Sequence, residues 1–244
     1  MKKIIIYVKG FLIVNILWFM AAWAVEKPQA PNPIRVYHSF RFFIIEHLYI
    51  DIIVSLYRIF AGITISLVLG STIGYLMASR KSLNTILDPI VVFLFPVPKA
   101  VLLPVIIAVF GSGEVSKIII ITLLIVFHII ISVRDTVLSI DRECIDYVLS
   151  LGASRKQVYK NVIYPQLIPG IINNVRIKIR TAISILFFCE VFGTPMGMGH
   201  YVLDAWLRND YISMYKGIII VCIMGIVLYS LVDLADRKLV KWKK

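Results

Sequence analysis

Long runs of apolar residues, separated by short clusters of charged residues, occupy most of the chain. Six runs approach or exceed the roughly 20 residues that an α-helix needs to cross about 30 Å of hydrocarbon. They are Ile4–Val25, Ile52–Ala78, Ile86–Phe110, Val115–Val133, Ile171–Phe192 and Ile212–Leu231. No run alternates apolar and polar residues for long enough to indicate a β-strand. The pattern predicts an all-α integral membrane protein with six transmembrane helices.

The composition supports a membrane protein. Of the 244 residues, 59% are apolar and 16% are charged, and the mean hydropathy is +0.88. Soluble domains are about 45–50% apolar and about 25% charged, so a soluble globule of this length could not bury so much apolar surface. The same figures exclude disorder. The cysteines, Cys144, Cys189 and Cys222, are too dispersed to indicate a disulfide framework or a metal site.

The basic residues predict how the chain is oriented. In a soluble protein the net charge of +12 would suggest a nucleic-acid partner, but in a membrane protein lysines and arginines concentrate in cytoplasmic loops. Placing both termini inside puts most of the 26 basic residues on the cytoplasmic side, including Arg176, Lys178 and Arg180, and fewer outside, including Lys117 and Lys216. We therefore predict a multi-pass plasma-membrane protein with both termini in the cytoplasm, contacting membrane lipid and no nucleic acid.

Two regions are predicted along the chain. Residues 1–33 form a first span and a proline-rich outer linker, and residues 34–244 form a core of five spans. The first run has the alternative of a cleaved signal peptide, because Lys2 and Lys3 precede it and Ala22-Trp23-Ala24 resembles a cleavage site. Its length of about 21 residues favours a retained span, since signal peptides have apolar cores of about 7–15 residues. Residues 34–50 mix aromatic and charged residues and predict an amphipathic segment at the outer interface.

The third apolar run contains four prolines, at positions 89, 96, 98 and 104. Each interior proline removes a helical hydrogen bond. A broken helix at membrane depth is tolerated where protein or a water-filled cavity satisfies the freed carbonyls. The run therefore predicts a helix that lines a translocation path, with a kinked helix packed against its neighbours as the alternative.

Three ionisable residues at membrane depth are candidates for a translocation path or gate. Arg58 and Glu190 lie near the outer third of their spans, and we expect them to pair with each other or else to reach the outer interface separately. Lys99 lies near the middle of the third span. It is either a cation that attracts an anionic solute or a lysine bonded to carbonyls that the prolines free.

The longest cytoplasmic segment, residues 134–170, is patterned as two short helices. Ile145, Val148 and Leu149 fall on one helical face, and Gly152 ends that helix. Ser154 and Gln157 have the spacing of a capping box, which predicts that a second helix begins there. We expect that helix to end at Pro165 and Pro169. Such a pair of amphipathic helices, with an apolar ridge facing outward and basic flanks, is typical of a docking site for another protein.

A family resemblance rests on this segment. The stretch from Asp146 to Gly152, followed by Val162-Ile-Tyr-Pro165, is similar to the E-A-A-x3-G-x9-I-x-L-P loop of ABC importer permeases. The departures are Asp146 for Glu, Tyr147 and Val148 for the two alanines, and Tyr164 for Leu. The resemblance assigns ATPase coupling to Asp146, Tyr147, Val148, Gly152, Ala153, Ser154 and Pro165.

Other stretches resemble the nitrate, sulfonate and taurine branch of these permeases, among them 55–62, 96–104, 110–114 and 190–204. The resemblance implies a type I importer fold in a bacterial or archaeal inner membrane, importing a small organic or inorganic anion or a related solute. It also implies a permease homodimer, an ABC ATPase subunit and a periplasmic or lipoprotein solute-binding protein. The sequence contains no G-x-x-x-x-G-K-[ST] motif, so no cofactor is expected in this chain, and ATP and Mg²⁺ would be bound by the ATPase.

Two alternatives from other classes are a membrane-embedded enzyme and an ATP-independent transporter. An enzyme would need catalytic residues, for which Ser112, His128 and Glu190 are candidates. Ser112 and His128 lie roughly 24 Å apart on one straight helix at about 1.5 Å per residue, too far for a nucleophile and its base. We therefore predict no catalytic or metal site, and we expect His128 to be buried against a carbonyl. An ATP-independent transporter would leave the cytoplasmic helix pair unexplained.

Overall fold

The computed structural model describes residues 2–192 and 194–240. The eleven α-helices of this part are α1 (Lys2–Val25), α2 (Pro33–Ser39), α3 (Leu48–Ser79), α4 (Lys81–Leu94), α5 (Leu103–Phe110), α6 (Glu114–Leu138), α7 (Arg142–Ser150), α8 (Arg155–Val158), α9 (Tyr164–Val191), α10 (Met198–Leu207) and α11 (Tyr211–Leu239). Phe40–Phe42 and Lys99–Leu102 are 3-10 turns, and Tyr159–Ile163 is π-helical. The described residues include no β-strand, and the predicted all-α class is confirmed.

Length and composition support part of the predicted set of spans. Helices α3, α6 and α11 are each long and apolar enough to cross a membrane. Helices α4 and α5 together form a fourth candidate, but they are bent by 89° at the intervening break, so the third predicted span is not one straight helix. Helix α9 is long enough but carries Arg176, Lys178 and Arg180 within its length and is not among the apolar spans. The total of six spans and the orientation stay predictions.

Helices α3 and α6 pack along a row of small residues. Gly62, Ser66, Gly70 and Gly74 recur every fourth residue on α3 and are buried against α6. An added Cβ at Gly74 would lie 2.6 Å from the Ile130 carbonyl oxygen, so only glycine permits this approach. Small residues at this spacing let helix backbones meet closely in a membrane, where dispersion rather than the hydrophobic effect drives association.

The apolar core lies where α6 meets α3 and α9. Ile120, Ile125 and Ile129 of α6 are completely buried, and Ile179 and Leu186 of α9 pack in the same cluster. Residues on successive turns of each helix share one face, which explains how such a long apolar sequence divides into a core face and an exposed face. Helices α10 and α11 pack against α9 and against each other.

The segment 34–50 is attached to α10 and α11. Its Glu46 forms an ion pair with Lys216 of α11 and accepts a hydrogen bond from the Tyr201 hydroxyl at 3.1 Å. Burial raises the pKa of Tyr201, so the phenol stays protonated and remains a donor.

Lys216 and Lys117, both assigned to the outer side from the sequence, are completely buried. Lys117 donates to the Ser112 carbonyl. These two lysines are therefore parts of the folded interior.

Candidate functional site

The helix pair that the sequence places in the cytoplasm, α7 and α8, is built around Gly152. Gly152 has φ +86°, a left-handed conformation that favours glycine, and its N–H donates to the Leu149 carbonyl at 2.9 Å. The Ala153 N–H donates to the Val148 carbonyl at 3.3 Å. These two bonds are the pattern of a Schellman motif, which ends a helix and satisfies its last carbonyls. The prediction that Gly152 ends the first helix is confirmed.

The second helix begins at the capping box that the sequence predicts. The Gln157 N–H donates to Ser154 Oγ at 3.3 Å, and the Ser154 N–H donates to Gln157 Oε1 at 2.7 Å. The prediction that Pro165 and Pro169 end this helix is wrong. Residues 155–191 continue through the π-helical stretch into α9, with Pro165 in the first turn of α9 and Pro169 in its interior. Proline is accepted in a first turn because the first N–H groups of a helix lack partners, and π-helical turns shift the hydrogen-bond register.

The side chains of the pair divide differently from the sequence prediction. Ile145 and Val148 pack against the core cluster of the same chain, and they do not form an outward ridge. Tyr147 and Leu151 are 67% and 70% exposed. Asp146 is exposed as well. The surface available to a partner is therefore an aromatic and an aliphatic side chain, with a carboxylate beside Tyr147.

Arg155 and Lys156 at the start of α8 are also exposed. We define the coupling surface as Asp146, Tyr147, Leu151, Arg155 and Lys156. The roles of the predicted coupling residues in binding an ATPase stay predictions.

A buried ionic cluster connects α3, α6 and α9 at the opposite end. Arg58 Nη1 donates to Glu190 Oε1 at 2.7 Å, which confirms the expected pairing. The Nε and Nη2 atoms of Arg58 donate to Glu114 at 2.7 and 2.5 Å, a bidentate pair. Arg58 is completely buried and Glu190 is 1% exposed. The guanidinium is thus neutralised by two carboxylates, and these ion pairs offset the desolvation cost of burying its charge.

The same cluster holds the loop that precedes α10. Glu190 accepts hydrogen bonds from Ser55 Oγ at 2.8 Å and from the Gly199 N–H at 2.9 Å. Asp51 accepts from the Gly197 N–H at 2.7 Å. A role for Asp51 was not predicted from the sequence. Ser55 and Glu114 were noted only as members of stretches that resemble the permease branch. The signal available was that Asp51, Ser55 and Arg58 recur at helical spacing on one face. A role of Arg58 and Glu190 in a gate stays a prediction.

Lys99 lies at the break between α4 and α5. Its ammonium donates to the Leu94 carbonyl and, at 3.0 Å, to the Phe95 carbonyl. It also lies 4.8 Å from the centroid of the Phe127 ring and is only 7% exposed. These contacts match the second interpretation of the sequence, a lysine bonded to carbonyls at a helix end. A role of Lys99 in attracting an anion stays a prediction.

An apolar groove of about 770 Å³ opens between α5 and α9. The residues that line it are Ala100, Leu103, Pro104, Ile107, Ala108, Ser112, Ile185, Phe188, Cys189 and Phe192. It is open to the outside of the chain, and on the α9 side it is formed by Ile185, Phe188 and Phe192. The groove is large enough for a small solute or for side chains of another subunit.

The candidate catalytic residues are not brought together in a site. His128 Nδ1 lies 3.2 Å from the Leu124 carbonyl of its own helix, as expected for a histidine bonded to a carbonyl. Its ring packs against Phe95, with the ring centroids 4.8 Å apart. Ser112 lines the apolar groove, and Glu190 is held by Arg58 and Ser55. Among residues 2–192 and 194–240, no three His, Cys, Asp or Glu side chains are grouped as metal ligands.

Apolar helices of membrane length, a broken candidate span and an exposed helix pair, α7 and α8, are the features expected of a membrane transport subunit. The comparisons agree. Residues 58–241 match the family described as "Binding-protein-dependent transport system inner membrane component", and the chain belongs to this family. It is therefore a multi-pass inner-membrane permease subunit of an ABC importer, and the prediction that it is a transport subunit rather than an enzyme is confirmed.

Individual relatives extend this assignment. The chain is 29% identical over 245 residues to the putative aliphatic sulfonates transport permease protein SsuC of Bacillus subtilis, covering 97% of this chain and 88% of that protein. It is 33% identical to the taurine transport system permease protein TauC of Escherichia coli, covering 77% of this chain and 68% of that protein. The resemblance to the sulfonate and taurine branch is thereby confirmed.

Among solved structures, the chain is similar to an inward-facing MetNI methionine ABC transporter. The TM-score is 0.64 at 20% identity, over 79% of this chain and 95% of that chain. At this identity the similarity shows the fold, and it confirms the predicted type I importer permease fold.

Proposed function

We propose that this permease imports a small solute that carries a sulfonate or a similar oxyanion group. The observation that carries the proposal is the match to permeases named for aliphatic sulfonates and for taurine. Taurine is itself an aliphatic sulfonate, so the two names describe one solute chemistry.

The family implies an ATPase and a solute-binding protein as partners. We propose that the ATPase binds the coupling surface, because its exposed Tyr147 and Leu151 can enter an apolar cleft. Burying two large side chains is the usual source of affinity in an interface, while the exposed charges at its rim mainly set orientation. The solute-binding protein, periplasmic or lipid-anchored, would bind the opposite side. ATP and Mg²⁺ would be bound by the ATPase and none by this chain.

The proposal also includes a homodimer. The groove between α5 and α9 leaves Phe188 and Phe192 exposed, at 60% and 58%, on a helix whose other face is in the core. A second copy related by a two-fold axis would cover the same surface in both subunits. A solute path between the two copies would then be lined by α5 and α9 from each.

The test is reconstitution with the ATPase that co-purifies and with the solute-binding protein. Uptake of radiolabelled taurine, methanesulfonate and nitrate into proteoliposomes is measured against an uncharged amide of similar size. The expected result is ATP-dependent uptake of at least one of the three solutes with an oxyanion group and none of the amide. Uptake of the amide alone, or uptake of an anion without ATP, would contradict the proposal. The mass of the purified complex by light scattering gives the number of permease copies, for which two are expected.

A further inference from the structure

The surface of α9 that lines the groove continues past the groove as a polar stripe. In an α-helix, residues three and four apart share a face. Counting back from Phe192, Phe188 and Ile185, this spacing reaches Thr181, Lys178 and Asn174. Each of these three is exposed or half-buried rather than part of the core. The stripe is therefore apolar along the groove and polar toward the middle and first half of α9.

Lys178 has no partner in the described part of the chain. It forms no ion pair and donates no hydrogen bond there, whereas Arg176, two residues away, forms an ion pair with Asp236 of α11 at 2.7 Å. Lys178 lies 14 residues from the start of α9 and 13 from its end. The sequence placed it with the cytoplasmic residues, but it occupies the middle of the helix.

The neighbouring groups do not neutralise Lys178. Asn174 donates to the carbonyl of Gly170 in its own helix at 2.9 Å. No carboxylate lies within ion-pair distance of Lys178 in the described part of the chain. Because α9 contains the fifth span that the sequence predicts, an unpaired cation within it is expected to face water or a polar cavity, where its field raises the local concentration of anions.

Resting on the proposed function, we infer that Lys178 is the cation that contacts the anionic solute in the translocation path. Lys99 donates to two carbonyls, so its charge is partly engaged, while Lys178 keeps all three of its donors available. Thr181, one turn away on the same stripe, offers a hydroxyl for a second contact with an oxyanion. In a dimer, two copies of the stripe would face the same path.

The first test measures electrostatics without depending on the solute. Thr181→Cys is placed in a full-length chain whose Cys144, Cys189 and Cys222 are replaced by alanine, assembled with the ATPase in proteoliposomes. The cysteine is labelled with an anionic sulfonatoethyl and with a cationic trimethylammonioethyl methanethiosulfonate of similar size. A unit charge about one turn away changes such rates severalfold, so Lys178→Met should lower the anionic-to-cationic rate ratio at least about fivefold. Lys178→Arg should retain the ratio.

The control is Lys81→Gln, which removes an exposed charge at the start of α4, and it should leave the ratio unchanged. An equal ratio in the Lys178 and Lys178→Met proteins, or no reaction of Thr181→Cys with either reagent, overturns the inference. If Lys178→Met lowers the yield of assembled complex, the same ratio is read by comparing Lys178→Gln with Lys178→Arg.

The second test measures transport. In the complex that takes up an anion, Lys178→Met should raise the apparent KM for that anion about tenfold. An unchanged KM overturns the inference while leaving the proposed function intact. If the wild-type complex takes up none of the anions, the proposed function fails instead, and the labelling ratio still reports whether Lys178 governs anion access.

Discussion

Arg58 Nη1 and Glu190 Oε1 lie 2.7 Å apart, completely enclosed by protein, and join the first long apolar helix of the core to the end of α9. The contact is one part of a wider network. Arg58 also donates to Glu114 on α6 and, at 3.0 Å, to the Met196 carbonyl, while Glu190 accepts from the Ser55 hydroxyl and the Gly199 N–H. One guanidinium and one carboxylate thereby fix three helices and the loop before α10.

This geometry predicts that removing Arg58 is severely destabilising. Arg58→Met leaves Glu190 buried without a cation, and breaking a buried pair from one side costs about 3–5 kcal/mol. The yield of monodisperse protein in detergent and its melting temperature by intrinsic fluorescence should both fall. The control is Arg208→Met, since Arg208 is exposed and, among the described residues, pairs only with Asp204 one turn away. An equal effect in the two variants would contradict the prediction.

A charge swap should not rescue the loss. In a protein that combines Arg58→Glu with Glu190→Arg, the carboxylate introduced at position 58 would face Glu114 and the Met196 carbonyl. The guanidinium introduced at position 190 would face the Gly199 N–H that now donates to Glu190. Both sets of contacts become repulsive, because each original charge has further partners of fixed sign. Restoration of wild-type yield by the swap would show that the pair is independent of its surroundings.

A third prediction concerns Gly152 and separates folding from coupling. Gly152→Val puts a β-branched side chain at φ +86°, where L-residues are strained, although no atom lies within 4 Å of the added Cβ. The Schellman turn should be lost while the membrane helices remain inserted. Solute-stimulated ATP hydrolysis in the reconstituted complex should fall to the basal level. Gly152→Asn tolerates the left-handed region and should retain stimulation. Full stimulation in the valine variant would refute the assigned role.

The sequence predicted the elements that depend on local rules. Gly152 and the Ser154 capping box were predictable because a helix end is determined by a few adjacent residues. The prolines were misread for a related reason. Pro165 and Pro169 were expected to end a helix, but the first-turn position of Pro165 and the preceding π-helical stretch let the chain continue. Whether a proline ends or begins a helix depends on register, which composition alone does not give.

Tertiary partners were harder to predict than helix ends. The Arg58–Glu190 pair could be expected because two unpaired charges at membrane depth need partners. Glu114 was missed because it lies just after a loop, where a carboxylate needs no partner. Ile145 and Val148 were expected to face outward, since helical periodicity identifies an apolar face without saying whether the covering surface is the same chain or another.

The row of small residues on α3 gives a fourth prediction. Gly74→Ala brings a Cβ to 2.6 Å from the Ile130 carbonyl oxygen, so α3 and α6 must separate, and overpacking of this kind costs about 1–3 kcal/mol. Its melting temperature in detergent should drop. Gly225→Ala on α11 has its nearest atom at 3.5 Å, an ordinary van der Waals contact, and should be neutral or slightly stabilising. Equal melting temperatures for the two variants would show that the close approach is not maintained in the protein.

The last prediction separates the two interpretations of Lys99. Its ammonium satisfies the Leu94 and Phe95 carbonyls at the break where α4 and α5 are bent by 89°. Lys99→Met keeps the length of the side chain but leaves those acceptors without a donor, at about 1–3 kcal/mol for a buried group. We expect a lower melting temperature, with uptake per folded complex within about twofold of wild type. Lys99→Arg, which can donate to the same carbonyls, should recover part of the lost stability.

Lys178→Met is the matched comparison, because it removes an unpaired charge and should not lower the melting temperature. If Lys99→Met instead retains its melting temperature and slows anion uptake, Lys99 acts on the solute, and the carbonyl contacts are incidental.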